Sequence, residues 1–338
     1  MGGRRDAVDE RGRGGRTLEP VIAFVFPGQG AQYVGMGVDL ADRHSVARRA
    51  FEEASDAVGI DLLALCRHGP EERLRETENT QPAILACSWA VAATLAASGI
   101  RPGLAAGLSL GEYTALVAAG ALTFADAARV VRQRGRFMQD AAEGRAVSMA
   151  AVLGLTSAAV VEICRAAPGF VEVANFNAPG QTVIAGDAEA VNAAGERLRS
   201  AGARRVTHLA VSAPFHTSLM RPAAARLAPV LESIPVSPAR IPVIANVSAE
   251  PVRTPEEIRR ALTEQVAGPV RWEQSLHALR ALGATAFLEV GPGTTLAGLV
   301  RRTVPEATVM SVENQETLDR AVAHLRAAPA PASRAWNG

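Results

Sequence analysis

A chain of 338 residues, 48% of them hydrophobic, can bury one large core and a smaller one, which excludes a disordered polypeptide. The formal net charge of +1 supplies no global field for nucleic acid, and every basic residue besides the six histidines is Arg, so an acidic partner would have to meet a local arginine patch. The three cysteines, Cys66, Cys87 and Cys164, lack C-x-x-C spacing and sit among apolar neighbours; they argue against a disulfide framework and a metal site and read as reduced thiols of a cytoplasmic protein.

Residues 1–20 are mostly Gly, Arg and acidic residues with no apolar segment, which predicts a disordered tail and neither signal peptide nor membrane anchor. Val21–Phe26 is a continuous apolar run, the pattern of a strand buried on both faces of a parallel sheet. The Gly-rich turn Pro27–Gln32 follows it. Tyr33 stands where a dinucleotide fingerprint needs its third glycine, so that reading is the weaker one; the stronger is a turn that aims the backbone N–H of Gln29 at developing negative charge. A helix is predicted from Thr80, with Pro82 in its first turn, to Gly99. Its apolar stretch Ala83–Ser98 is interrupted by Ser88 and reads as too short to span a bilayer, hence as a core helix.

Leu104–Gly107 reads as a short buried strand, and Leu110–Ala119 as a helix stopped by Gly120. Between them Gly107 and Gly111 bracket Ser109 in the pattern G-x-S-x-G. Strand, tight turn and helix are the context a nucleophile elbow demands, so Ser109 is a candidate nucleophile; an ordinary Gly-flanked helix N-cap serine is the alternative. Thr123 starts the next predicted helix, which runs to about Ala142. Ala127, Val131, Met138 and Ala142 trace its apolar stripe, and Arg134 falls inside it. An arginine there needs an anion, unless it snorkels to the surface or pairs with a structural carboxylate. Gly135 would let this helix approach another surface closely.

From residue 145 to residue 210 the predicted order is strand (Ser148–Leu153), helix (Thr156–Ala166), strand (Val171–Phe176), strand (Gln181–Ala185), helix (Ala188–Ala201) and strand (Arg205–Leu209). That order is a ferredoxin-like unit. Parallel-type strands resume at Ile241–Val247, Ala286–Val290 and Thr308–Val312. The expected organisation is therefore α/β, with a large domain of residues 21–144 and 211–326, an inserted small subdomain of residues 145–210 and a loose Ala/Pro-rich tail of residues 327–338. A cleft between the two units is the default ligand site.

At the exit of the insertion His216 lies in the Pro-shaped loop Ser212–Thr217, where an imidazole can reach a nucleophile on a neighbouring strand end. No Asp or Glu stands out in a strand-end loop before it, although hydrolases built on this elbow place their acid there. Gln265, in the predicted turn Gln265–Val270, could orient the imidazole through its backbone carbonyl.

Taken in order, Phe26–Gln32, the serine elbow, Arg134–Gln139, Asn175–Gln181, Ser212–His216, Gln265 with Pro269–Trp272, and Glu289–Gly293 closely resemble the malonyl-CoA:acyl-carrier-protein transacylase family, including the acyltransferases of polyketide synthases. The resemblance covers about Val21 to Val312. It implies an α/β-hydrolase-like large domain with an inserted ferredoxin-like subdomain. It also implies Ser109 as nucleophile, His216 as base, an oxyanion hole from the N–H groups of Leu110 and Gln29, the Gln265 carbonyl orienting His216, and Arg134 binding the malonyl carboxylate. Phe215 and Asn177 fall at substrate-side positions. Leu108 departs from the His that usually precedes the serine, which bears on acyl choice and on fatty-acid against polyketide supply. The implied substrates are a coenzyme A thioester and an acyl carrier protein, with no cofactor, metal, nucleic acid or membrane. A serine acyl hydrolase or thioesterase that edits carrier proteins would share Ser109 and His216, and a trans-acting acyltransferase with another acyl group would share the whole set.

Overall fold

The computed structural model describes residues 21–211 and 213–327. The tail expected at 1–20 lies outside the described residues, as does the one expected at 327–338 except for Ala327, which ends the last helix. The described residues form ten strands: β1 (Val21–Phe26), β2 (Leu104–Gly107), β3 (Val147–Leu153), β4 (Val171–Ala178), β5 (Gln181–Asp187), β6 (Arg205–His208), β7 (Val243–Ile244), β8 (Pro251–Val252), β9 (Ala284–Val290) and β10 (Thr308–Val312).

The fold is α/β, as expected. Six strands build one sheet in the order β10-β9-β1-β2-β7-β8, parallel throughout except for the β7·β8 hairpin. The apolar run of β1 explains its central place. Successive side chains point to opposite faces: Ile22, Phe24 and Phe26 enter one hydrophobic core, Ala23 and Val25 the other. A separate antiparallel sheet has the order β4-β5-β3-β6, and the helices Ser157–Ala166 and Ala188–Ser200 supply Val160, Val191 and Leu198 to its own core. Strand–helix–strand–strand–helix–strand with this order is the ferredoxin-like arrangement. Backbone bonds stitch the small sheet to the large unit: Val270 N–H donates to the Ala174 carbonyl at 2.9 Å, and Phe176 N–H to the Val270 carbonyl at 2.8 Å.

Four sequence expectations need correction. The helix expected from Thr80 begins at Thr77, so Pro82 lies inside it and leaves the Glu78 carbonyl without its helical donor. Side chains reinforce its first turn: Thr80 Oγ1 donates to the Leu74 carbonyl at 2.6 Å, and Asn79 Nδ2 to Glu76 Oε2 at 2.7 Å. The resulting helix of 21 residues is long and apolar enough to cross a bilayer, contrary to the length argument; burial of 78% of its most apolar window makes it a core helix. The strand expected at Ile241–Val247 shrinks to Val243–Ile244, because Ala245 N–H turns to the Glu250 carbonyl to close the hairpin. Gln265 belongs to the last turn of the helix Pro255–Ala267, not to a free turn.

The helix Phe124–Asp140 starts at the Thr123 cap as expected and packs close to the helix Thr77–Ala97. A Cβ on Gly135 would lie 2.6 Å from the Thr77 carbonyl oxygen, so only glycine permits that approach. The contact places Arg134 beneath the C-terminal ends of the parallel strands, where open α/β sheets present their chemistry.

Candidate active site

Ser109 sits at the end of β2 with φ 54°, in the left-handed region that costs a non-glycine residue about 1–3 kcal/mol. Its two glycines are required by contact. A Cβ on Gly107 would lie 1.9 Å from the Gly111 carbonyl carbon, and one on Gly111 2.1 Å from the Phe26 carbonyl oxygen. The turn is thus wedged between β1 and the helix Gly111–Ala118, and the serine is an elbow residue, not an ordinary N-cap.

His216, also left-handed at φ 62°, is buried opposite it. Its Nε2 lies 2.7 Å from Ser109 Oγ and its Nδ1 2.9 Å from the Gln265 carbonyl oxygen. The carbonyl is available because the last carbonyls of a helix have no intrahelical partner. Accepting from Nδ1–H, it fixes the tautomer whose Nε2 lone pair faces the hydroxyl. The loop that carries the imidazole is pinned by Thr217 Oγ1, which donates to the Pro214 carbonyl at 2.7 Å. Glu172 of β4 accepts from Ser218 N–H at 2.8 Å and from Ser218 Oγ at 2.9 Å.

Arg134 is 1% exposed and completes the cluster. Its Nη2 donates to Ser109 Oγ at 3.0 Å and to Gln265 Oε1 at 2.8 Å, and its Nη1 to Gln81 Oε1 at 2.9 Å. Among the described residues no carboxylate forms an ion pair with it, and its buried Nε has no acceptor. It is neither a surface-reaching arginine nor one paired with a structural carboxylate. The N–H groups of Leu110 and Gln29 also have no hydrogen-bond partner among the described residues. Ser109, His216, Gln265 and Arg134 are therefore brought together. Leu108 packs against the Gly28 turn, and Phe215 is buried in the main core beside the base. Asn177 is not joined to this cluster by any hydrogen bond among the described residues; its buried Oδ1 is unpartnered near the end of β4.

Three further side chains build the site from behind, and the sequence reading did not single them out. Gln81 receives Arg134. Glu112, fully buried, accepts from Gln265 Nε2 at 2.8 Å and from Asn246 N–H at 3.0 Å. Asn246 reaches the elbow from the end of β7. Glu112 carried a signal, as a lone acid in the apolar run Leu110–Ala119.

The sequence matches the acyl transferase domain family over residues 23–327. The chain belongs to the acyl transferase family. It is 43% identical to the malonyl CoA-acyl carrier protein transacylase of Bacillus subtilis (strain 168) over 90% of this chain and 97% of that one. Against the enzyme of the same name from Escherichia coli (strain K12), identity is 44% over 89% and 98%. Among solved structures, a malonyl-transacylase in complex with its type II PKS acyl-carrier protein aligns at TM-score 0.87 and 43% identity, covering 90% of this chain and 99% of that one. The malonyl CoA-acyl carrier protein transacylase of Coxiella burnetii aligns at 0.88 and 40%, covering 91% and 98%.

Burial governs titration in the centre of this acyl transferase. His216 is pushed down to about 4, first by burial and then by the charge of Arg134, so its imidazole is neutral at neutral pH and can accept a proton. Glu112 is pushed up to about 7 by burial, against the hydrogen bonds from Gln265 and Asn246 and the attraction of Arg134. The three cysteines of this acyl transferase are free and buried, and burial raises each thiol.

Proposed function

We propose that the chain transfers a malonyl group from coenzyme A to the phosphopantetheine thiol of an acyl carrier protein through a malonyl ester on Ser109, in the cytoplasm and with no cofactor. One observation carries this reading: a buried guanidinium without a carboxylate partner touches the hydroxyl that a neutral imidazole also touches. A neutral acyl group would have no use for that charge, whereas a malonyl carboxylate fits it.

The steps follow from the geometry. His216 Nε2 takes the Ser109 proton as Oγ attacks the thioester carbonyl, and the oxyanion is received by the free N–H groups of Leu110 and Gln29. On collapse the C–S bond breaks and coenzyme A leaves with the proton held by His216. The carrier's thiol then gives its proton to His216, attacks the ester, and the serine recovers its hydrogen. Arg134 holds the malonyl carboxylate in both halves, which positions the carbonyl without contributing to bond making.

The test against a hydrolase is coenzyme A release with and without carrier protein. Release is expected to stop after one equivalent per chain when the carrier is absent and to continue when it is present. Continued release at the same rate without carrier would identify a thioesterase. The low His216 value sets a second expectation: the catalytically competent form is the neutral base, lost only as pH falls through about 4. The kcat/KM for malonyl-CoA, measured between pH 5 and 7 by stopped-flow, should therefore show no drop near the ordinary histidine value of about 6.5. Phe215 supports a third. Beside the base it narrows the space where an α-methyl group would lie, and one methyl is worth about 1–3 kcal/mol, so methylmalonyl-CoA should react roughly 10–200 times more slowly. Equal rates in competition would remove Phe215 from the acyl pocket.

A further inference from the structure

Strands β2 and β7 pair in parallel only at Ala105 with Val243 and Ala106 with Ile244. Two residues further along that register, Asn246 falls opposite Leu108. The backbone cannot continue the ladder there. Ala245 N–H has turned to Glu250, Asn246 N–H donates to Glu112 Oε2 at 3.0 Å, and the Asn246 carbonyl accepts from Arg271 N–H at 2.9 Å. The side chain continues it instead. Asn246 Nδ2 donates to the Gly107 carbonyl at 2.7 Å, and Oδ1 accepts from Ser109 N–H at 2.6 Å. Gly107 carbonyl and Ser109 N–H flank Leu108, and they are the two groups that the backbone N–H and C=O of a residue opposite Leu108 would bond in a parallel ladder. A primary amide carries the same donor and acceptor as a peptide.

We infer that Asn246 is a positioning residue for the nucleophile: its side-chain amide replaces the missing peptide of β7 and clamps the serine elbow on both sides of Leu108. The clamp has a specific task. Ser109 holds a left-handed φ that the turn would not adopt unaided, and such a conformation persists only where its surroundings over-determine it. With Gly107 carbonyl and Ser109 N–H both fixed, Oγ stays within reach of His216, and the next N–H, that of Leu110, stays free for the oxyanion. Glu112 extends the clamp: the same Oε2 that holds the Asn246 backbone accepts from Gln265 Nε2. Gln265 Nε2 also donates to the Ser109 carbonyl at 2.9 Å, and its own carbonyl holds His216. Nucleophile and base are thus aligned from one buried point. Asn246 is 0% exposed and, among the described residues, its side-chain amide bonds only the Gly107 carbonyl and Ser109 N–H, so the side chain acts on the reaction through the elbow.

The inference rests on Ser109 being the nucleophile, and the experiment separates the two. Asn246→Ala removes the amide, and Asn246→Asp keeps its shape and acceptor but loses the donor to Gly107. Single-turnover acylation by malonyl-CoA, equilibrium affinity for malonyl-CoA, and modification of the serine by phenylmethylsulfonyl fluoride are measured for both variants and the wild type. Displacement of a reacting group by an ångström costs about 10²-fold. Acylation and sulfonylation are both expected to slow about 10²-fold while affinity stays within about threefold. Rates within threefold of the wild type, or rate and affinity falling together, would overturn the role. Failure of the wild type itself to be acylated would instead overturn the nucleophile. A further reading needs no variant: in the wild-type chain the Ser109 amide proton, held by Oδ1, should be strongly protected from hydrogen exchange, and exchange at the rate of an open loop would contradict the clamp.

Discussion

Arg134→Ala should lose malonyl transfer by about 30-fold to several-thousand-fold while transfer of an acetyl group from acetyl-CoA is unchanged or improved. The range follows from the cost of leaving one member of a buried charge pair without its partner, about 2–5 kcal/mol, at about 1.4 kcal/mol per tenfold. The wild-type guanidinium is held ready for that partner. Gln81 and Gln265 orient it with neutral carbonyl oxygens, and among the described residues no carboxylate pairs with it directly, so the incoming diacid can take the guanidinium as its own partner. Tyr113 lies beneath it, with the guanidinium carbon 5.6 Å from the ring centroid, adding an attraction that keeps the cation in a site otherwise unfavourable to charge. Arg134→Lys should rescue poorly, because an ammonium cannot hold Gln81, Gln265 and a carboxylate with one planar fork. Steady-state rates with both thioesters check this. An Ala variant that kept the malonyl preference would make Arg134 a structural residue and remove the physical case for a diacid.

The chemistry was legible in the chain wherever local pattern and chemistry coincide. The glycines around Ser109 are forced by contacts with the backbone of β1 and of the following helix, so the elbow is written in five consecutive residues. Arg134 stood out because it interrupts an apolar stripe, and the structure buries it as that stripe requires. The apolar run of β1 announced a strand with two buried faces, and both faces are covered.

What the sequence concealed depends on distant packing. Gln265 read as a turn residue because Gly268 and Pro269 follow closely, whereas the helix from Pro255 continues through Ala267 and leaves the needed carbonyl at its end. Asn246 and Gln81 meet the site from strands and helices far away in the chain, and a single Asn or Gln gives no periodic signal. The missing acid of the triad has the same explanation. A helix-end carbonyl does the orienting, and backbone groups carry no residue signature. Asn177 was carried by resemblance alone, and its side chain remains outside the hydrogen-bonded cluster.

The central claim is that one residue, Ser109, carries the acyl group between two thiols. It has the only hydroxyl among the described residues that is bonded to both His216 and Arg134, and it is the residue whose strained backbone the glycines, Asn246 and Gln265 all serve. Loss of the serine from a serine-based centre costs about 10⁶-fold in turnover, since the residual rate comes only from binding and oxyanion stabilisation. The most direct test is the intact mass of wild type and Ser109→Ala after brief incubation with malonyl-CoA, followed by addition of holo carrier protein. The wild type should gain one malonyl group and lose it to the carrier, while the Ala variant gains none. A malonyl adduct of the same stoichiometry on the Ala variant, or a wild-type adduct that the carrier cannot discharge, would contradict the account.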